Sequence, residues 1–120
     1  MIWNELVADD PARLAAFYAA LLDIETKDME EMPGYKLFTI GGRSVAGIFP
    51  KNEQMKQLPS YWSVYFHVGH CEAIAERAKS LGGEVMVHPM DTGMGRMAVV
   101  KDPQGAVFQV IAYSGPQDWA

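Results

Sequence analysis

The chain has 120 residues, 49% of them hydrophobic and 21% charged, with a formal net charge of −5 at pH 7. This is enough apolar material for one globular domain with a real core, and it argues against disorder. With an acidic balance and no Lys/Arg cluster, neither nucleic acid nor an anionic membrane is expected as a partner. The N-terminus lacks a basic stretch followed by an apolar core, and no apolar run approaches about 18 residues. Neither a signal peptide nor a spanning helix is therefore expected, and a cytoplasmic location is.

In chain order, a strand is expected at Ile2 to Val7. Asp9-Asp10-Pro11 then supplies an Asp N-cap and a proline at the first helical position. Leu14, Phe17, Tyr18, Leu21 and Leu22 fall at helical spacing on one apolar face, predicting a helix from about Pro11 to Leu22. Strands follow near Ile24 to Asp28, Tyr35 to Ile40 and Ser44 to Phe49, with Gly41-Gly42 as a hairpin turn between the last two. The stretch from Pro50 to Ser60 is polar apart from Met55 and Leu58, and reads as a linker or a lid.

The second half repeats this order. A strand ends near Val68, and a helix runs from about Cys71 to Leu81, with Ile74, Ala75, Ala78 and Leu81 on its apolar face. Gly82-Gly83 stops it, and a strand follows at Glu84 to His88. Two runs rich in β-branched residues then flank Asp102-Pro103-Gln104-Gly105, a hairpin signature in which Asp bonds its own backbone, Pro presets φ and Gly accepts a left-handed conformation. The offset of about 60 residues marks an internal duplication of element order.

Five runs in sequence carry a resemblance: Trp3-Asn4-Glu5-Leu6, Phe17-Tyr18 with Leu21-Leu22, Trp62-Ser63-Val64-Tyr65-Phe66, Leu81-Gly82-Gly83, and Gly95-Arg96 through Asp102-Pro103-Gln104-Gly105-Ala106. Together they resemble the vicinal oxygen chelate superfamily, which includes glyoxalase I, extradiol dioxygenases and bleomycin-resistance proteins. The resemblance implies an α+β fold: two β-α-β-β-β modules, about 1–50 and 61–114 with the linker at 50–60, forming curled mixed sheets around a cleft within a single domain, 1–120. It also implies a homodimer.

Metal-dependent members of that superfamily place His on the first strand and Glu on the last strand of each half. Carried onto this sequence, those positions fall at Trp3, at Gly47 or Ile48, at Ser63 and at Gln109. None of these side chains is the imidazole or carboxylate that such an ion requires. The resemblance therefore implies a protein without the usual metal or other cofactor.

Period-two alternation puts Glu5, Val7, Tyr65, His67, Val107 and Ile111 on the same face as Trp3, Ser63 and Gln109. The opposite parity, Ile2, Leu6, Val64, Phe66, Phe108 and Val110, is apolar and suits packing under the helices. Glu5 and His67 are the candidate catalytic residues, as an acid/base or recognition pair; a polar pair satisfying itself inside the sheet is the alternative. Trp3, Ser63, Tyr65, Arg96 and Gln109 are the candidate ligand-binding residues, although Arg96 serves equally well in a salt bridge. Cys71 reads as structural, His70 as a cap or surface residue, and His88 as part of a surface turn before Pro89. Met86, Met90, Met94 and Met97 read as core filling or an adaptable apolar lining, and Trp119 as exposed unless covered.

The expected function is metal-independent binding of a small organic molecule, as in sequestration by bleomycin-resistance relatives or an unassigned lyase or isomerase step. One alternative is a divalent-metal enzyme of glyoxalase or dioxygenase type with a displaced site drawn from His67, His88, Glu5 and Asp91. The other is a non-catalytic interaction module.

Overall fold

Alternation in Trp3–Ala8 makes the first strand, β1, with Leu6 and Ala8 turned to one face and Trp3, Glu5 and Val7 to the other. The computed structural model describes residues 3–114; Ile2 and Trp119, named above, lie outside them. The remaining elements are α1 (Pro11–Leu22), β2 (Glu25–Asp28), β3 (Lys36–Ile40), β4 (Arg43–Pro50), a 3-10 turn at Glu53–Met55, β5 (Tyr61–His67), α2 (Cys71–Ser80), β6 (Glu84–Thr92), β7 (Gly95–Lys101) and β8 (Val107–Tyr113). The class is mixed α+β, with β-α-β-β-β order in each half. The chain divides into two compact units, Trp3–Ser63 and Val64 onward, so the division falls inside β5.

In the first unit β2, β3 and β4 form antiparallel pairs, and β4 runs parallel to β1 with Glu5 opposite Gly47 and Leu6 opposite Ile48. Gly41 and Gly42 join β3 to β4 at φ of 58° and 78°, the left-handed conformation that a tight hairpin turn demands. Asp10 caps α1 by accepting from the Arg13 amide at 3.2 Å, with Pro11 in the first turn as its spacing predicts. The helix lies on Leu6, Ala8, Phe38, Ala46 and Ile48, with Leu14 and Tyr18 packed against them. The stretch after β4 is more than a polar connection: Met55 and Leu58 are both buried.

In the second unit β7 pairs antiparallel with β6 and β8, and β5 runs parallel to β8 with Tyr65 opposite Gln109. His70 caps α2, its Nδ1 accepting from the Ala73 amide at 3.3 Å. Cys71, Ile74 and Ala78 of α2 pack on Ala98, Val100 and Val110, joined by Phe108. The apolar parity of β8 thus faces α2, as alternation predicts, and leaves Gln109 and Ile111 on the other side. One expectation needs correction. His88 and Pro89 do not end their strand in a turn: β6 continues to Thr92, because a register shift between Val87 and Met90 accommodates the proline and pairing resumes at Met90 with Met97.

Candidate functional site

The polar residues that alternation turns away from the helices are mostly sealed inside. Glu5 and Gln109 are 0% exposed, and Ser63 and Tyr65 are buried. A buried carboxylate needs partners, since desolvation penalises its charge heavily. In the first unit Tyr35 Oη donates to Glu5 Oε2 at 2.7 Å and accepts from Trp3 Nε1 at 2.9 Å. Indole, phenol and carboxylate therefore form one directed chain, in which each hydrogen has an acceptor.

Gly47 makes room for this chain. It sits opposite Glu5, and a Cβ built on it would lie 1.7 Å from Tyr35 Oη. The phenol thus occupies the space a side chain at position 47 would fill. Tyr35 is held well above the ordinary tyrosine range, first by burial and then by the Glu5 charge and the hydrogen bond to it. It is a proton donor at any ordinary pH.

Tyr61, at the start of β5, also belongs to this unit. Its ring is half-buried, while Oη is fully covered and has no hydrogen-bond partner. Burial, followed by the charge on Glu5, pushes its phenol up to about 12. Trp62, next in the chain, turns to the helix side, donating to Tyr18 Oη at 3.0 Å with its ring tilted over Phe38.

In the second unit the cross-strand neighbours Tyr65 and Gln109 are brought together, Gln109 Nε2 donating to Tyr65 Oη at 3.2 Å. Gln109 Oε1 is buried with no partner. His67 Nδ1 accepts from the Tyr113 amide at 3.4 Å. Arg96 takes the salt-bridge alternative, bonding Glu72 through Nε and Asp91 through Nη1 at 3.1 Å. These bonds hold the Glu72 carboxyl below its usual range and the guanidinium above its own. Cys71 is buried, and that burial, with Glu72 nearby, pushes its thiol up, away from the reactive thiolate.

The family model of the glyoxalase/bleomycin resistance protein/dioxygenase superfamily matches residues 3–110. The chain belongs to that superfamily. It is 39% identical over 114 residues to "Putative glyoxylase CFP32" of Mycobacterium tuberculosis, an alignment covering 92% of this chain and 43% of that one. It is 35% identical over 124 residues to the anthracycline biosynthesis protein DnrV of Streptomyces peucetius, covering 90% and 45% of the respective chains. The chain thus spans about half the length of the curated relatives it matches. Among solved structures, a superfamily member from Vibrio splendidus superposes with a TM-score of 0.52 at 16% identity, covering 90% of this chain and 94% of that one, which speaks to the fold alone.

The family's divalent ion does not fit the residues present. The positions to which the resemblance assigns its ligands carry Trp3, Gly47 or Ile48, Ser63 and Gln109, and Gly47 lies beneath the Tyr35 phenol. No group of three or more His, Cys, Asp or Glu side chains is gathered as a ligand set among the described residues. An indole, a backbone without a side chain, a hydroxyl and a carboxamide offer a divalent ion neither charge nor imidazole.

Tyr35 and Tyr61 escaped the sequence reading. Tyr61 has a usable signal, since it lies two residues before Ser63 and shares the parity of Ser63, Tyr65 and His67. Tyr35 has only an indirect one: a glycine among the two positions, Gly47 or Ile48, where the resemblance anticipates a carboxylate.

Proposed function

We propose that this protein binds a small, uncharged organic molecule without a metal ion. The observation that carries the reading is the filling of the first half's ligand space by the Tyr35 phenol, hydrogen-bonded between Trp3 and Glu5. On this reading, where family members hold an ion there is a phenol whose one hydrogen is taken by a buried carboxylate, so the space is filled by a neutral aromatic group. That filling favours contact with an organic ligand over Lewis-acid chemistry. The likeness to an anthracycline biosynthesis protein supports a fused-ring aromatic ketone or quinone as the ligand class.

A second copy of the chain is the proposed partner. Phe17, Leu21 and Leu22 are more than half exposed on α1, and relatives of about twice this length leave room for a second such domain.

The test is to strip the purified protein with a chelator and offer Ni, Zn, Mn and Fe(II) separately. After desalting, bound metal is measured, and a neutral anthraquinone is then titrated while tryptophan fluorescence is followed. Saturable binding to the stripped protein without stoichiometric metal is the expected result. Near-stoichiometric metal that Glu5→Gln or His67→Ala abolishes would overturn the reading.

A further inference from the structure

The helices α1 and α2 hold equivalent places in the repeat but present different surfaces. The exposed positions of α2 include Glu72, Glu76, Arg77 and Lys79. Between Arg13 and Asp23, by contrast, α1 carries no charged residue, and Phe17 and Leu21 are more than half exposed. A helix apolar on its outer side as well as its inner one is suited to being covered by another surface.

Shape and charge both specify that surface. An open cavity of about 390 Å³ lies at the N-terminal end of α1, walled by Arg13, Leu14 and Phe17 with Asp9, Asp10 and Ser60 around them. Leu21 follows Phe17 by one turn on the same stripe, roughly 10–12 Å along the axis from Arg13 and Leu14. One end of the stripe is therefore hollow and the other protrudes, and a second α1 running antiparallel sets each protrusion against the other's hollow. As for charge, Arg13 stands in the first turn, Asp23 at the C-cap, and the last turn has no basic residue. Each of these charges repeats the partial charge of its own helix end, which a helix standing alone disfavours. An antiparallel copy reverses the relation, bringing each Arg13 toward the C-terminal carbonyls and Asp23 of the other helix.

We propose that two copies of the chain pair through antiparallel α1 helices, with Leu21 of each seated against Leu14 and Phe17 of the other. This deepens the second-copy reading and rests on it. Shape and charge independently put the twofold axis at the same place, beside Phe17 and Tyr18 in mid-helix. A small organic molecule would fill the cavity but leave Leu21 exposed and both charges where the helix disfavours them. A parallel pairing would set cavity against cavity and Arg13 against Arg13.

The experiment uses the full chain with its only cysteine removed by Cys71→Ala. Arg13→Cys and Leu21→Cys are introduced into separate proteins, which are mixed in equal amounts and mildly oxidised at a concentration where sedimentation shows the dimer. Mass spectrometry then identifies which chains are joined. Disulfides linking position 13 of one chain to position 21 of the other are expected to predominate, and Phe17→Cys alone should link to itself. Separately, Arg13→Ala is expected to weaken the dimer about tenfold, since the twofold axis repeats the lost ion pair, while the thermal midpoint at concentrations where both proteins are monomeric stays unchanged. Predominant links from 13 to 13 or from 21 to 21, or an Arg13→Ala dimer as tight as wild type, would overturn the antiparallel arrangement and leave the second-copy reading intact. A wild type that stays monomeric would remove that reading, and this inference with it.

Discussion

Tyr35 and Gly47 fit each other as one unit: the phenol oxygen stands where the first carbon of any side chain at position 47 would be. Gly47→Ala must therefore push the ring away from Glu5 or shift β4 against β1. The expected cost is about 3 kcal/mol, since overpacking adds to the loss of the carboxylate's donor. Tyr35→Phe, which keeps the ring, should cost about 1–3 kcal/mol through loss of the Tyr35 donor to Glu5 alone. Urea denaturation of both variants checks this, and a loss under about 1 kcal/mol for Gly47→Ala would show that the pair is not tightly fitted.

The Tyr35 and Tyr61 phenols make the protein sensitive to alkali. Burial and the Glu5 charge push the Tyr61 phenol up to about 12 from an ordinary 10.0, and Tyr35 lies higher still. The folded chain binds more protons than the unfolded one above pH 10, so stability declines with rising pH from there. Below pH 10 both states are protonated and the contribution is constant. Phenolate absorbance should therefore show Tyr35 and Tyr61 resisting ionisation until the fold opens. In Tyr61→Phe one fewer tyrosine should resist. Normal titration of Tyr35 and Tyr61 in the folded protein would contradict the burial described.

Lys51 ties down the stretch that carries Met55 and Leu58. Its side chain is 5% exposed, its Nζ pairs with Asp9 at 2.8 Å, and it also donates to the Leu58 carbonyl. Lys51→Met keeps the apolar stem and removes both bonds. Hydrogen exchange across residues 52–60 should accelerate about tenfold, corresponding to about 1.4 kcal/mol of local stability. Unchanged protection in that stretch would mean that Met55 and Leu58 hold it unaided.

The α1 surface predicts self-association. If Phe17, Leu21 and Leu22 lie between two copies, Leu21→Glu should weaken the dimer at least about tenfold while leaving the fold unaffected. Sedimentation velocity distinguishes the cases, and a monomeric wild type at micromolar concentration would exclude the dimer.

Much of the fold was legible because its signals are local. Asp10-Pro11 starts α1, Gly41-Gly42 turns one hairpin, and alternation along β1 and β8 assigns Leu6 and Val110 to the helix side. Glu5, Tyr65 and Gln109 were found by the same alternation, since a strand's period needs no knowledge of its neighbours. Tyr35 was not, because it precedes β3 and meets a carboxylate 30 residues away through a gap left by a third residue. Arg96 was ambiguous for a similar reason: its partner Glu72 lies 24 residues back, on a different element. His88 and Pro89 misled because proline usually ends a strand, and only pairing with β7 carries β6 through it.

The turn between β7 and β8 bears on how the chain acquires its structure. Asp102 Oδ1 accepts from the amides of Gln104 and Ala106, both at 2.9 Å, and the Asp102 amide donates to the Ala106 carbonyl at 2.8 Å. Those amides hold the Asp102 carboxyl below its usual range. All of these bonds close within four residues, so they require almost no loop entropy and can form on the hairpin timescale of about 1–10 μs. The parallel pairing of β5 with β8 must instead bring together residues 44 apart in the chain. The second unit therefore has a natural order of assembly, in which a quickly formed hairpin presents the edge that β5 later joins, and Tyr65 meets Gln109 only in that later step.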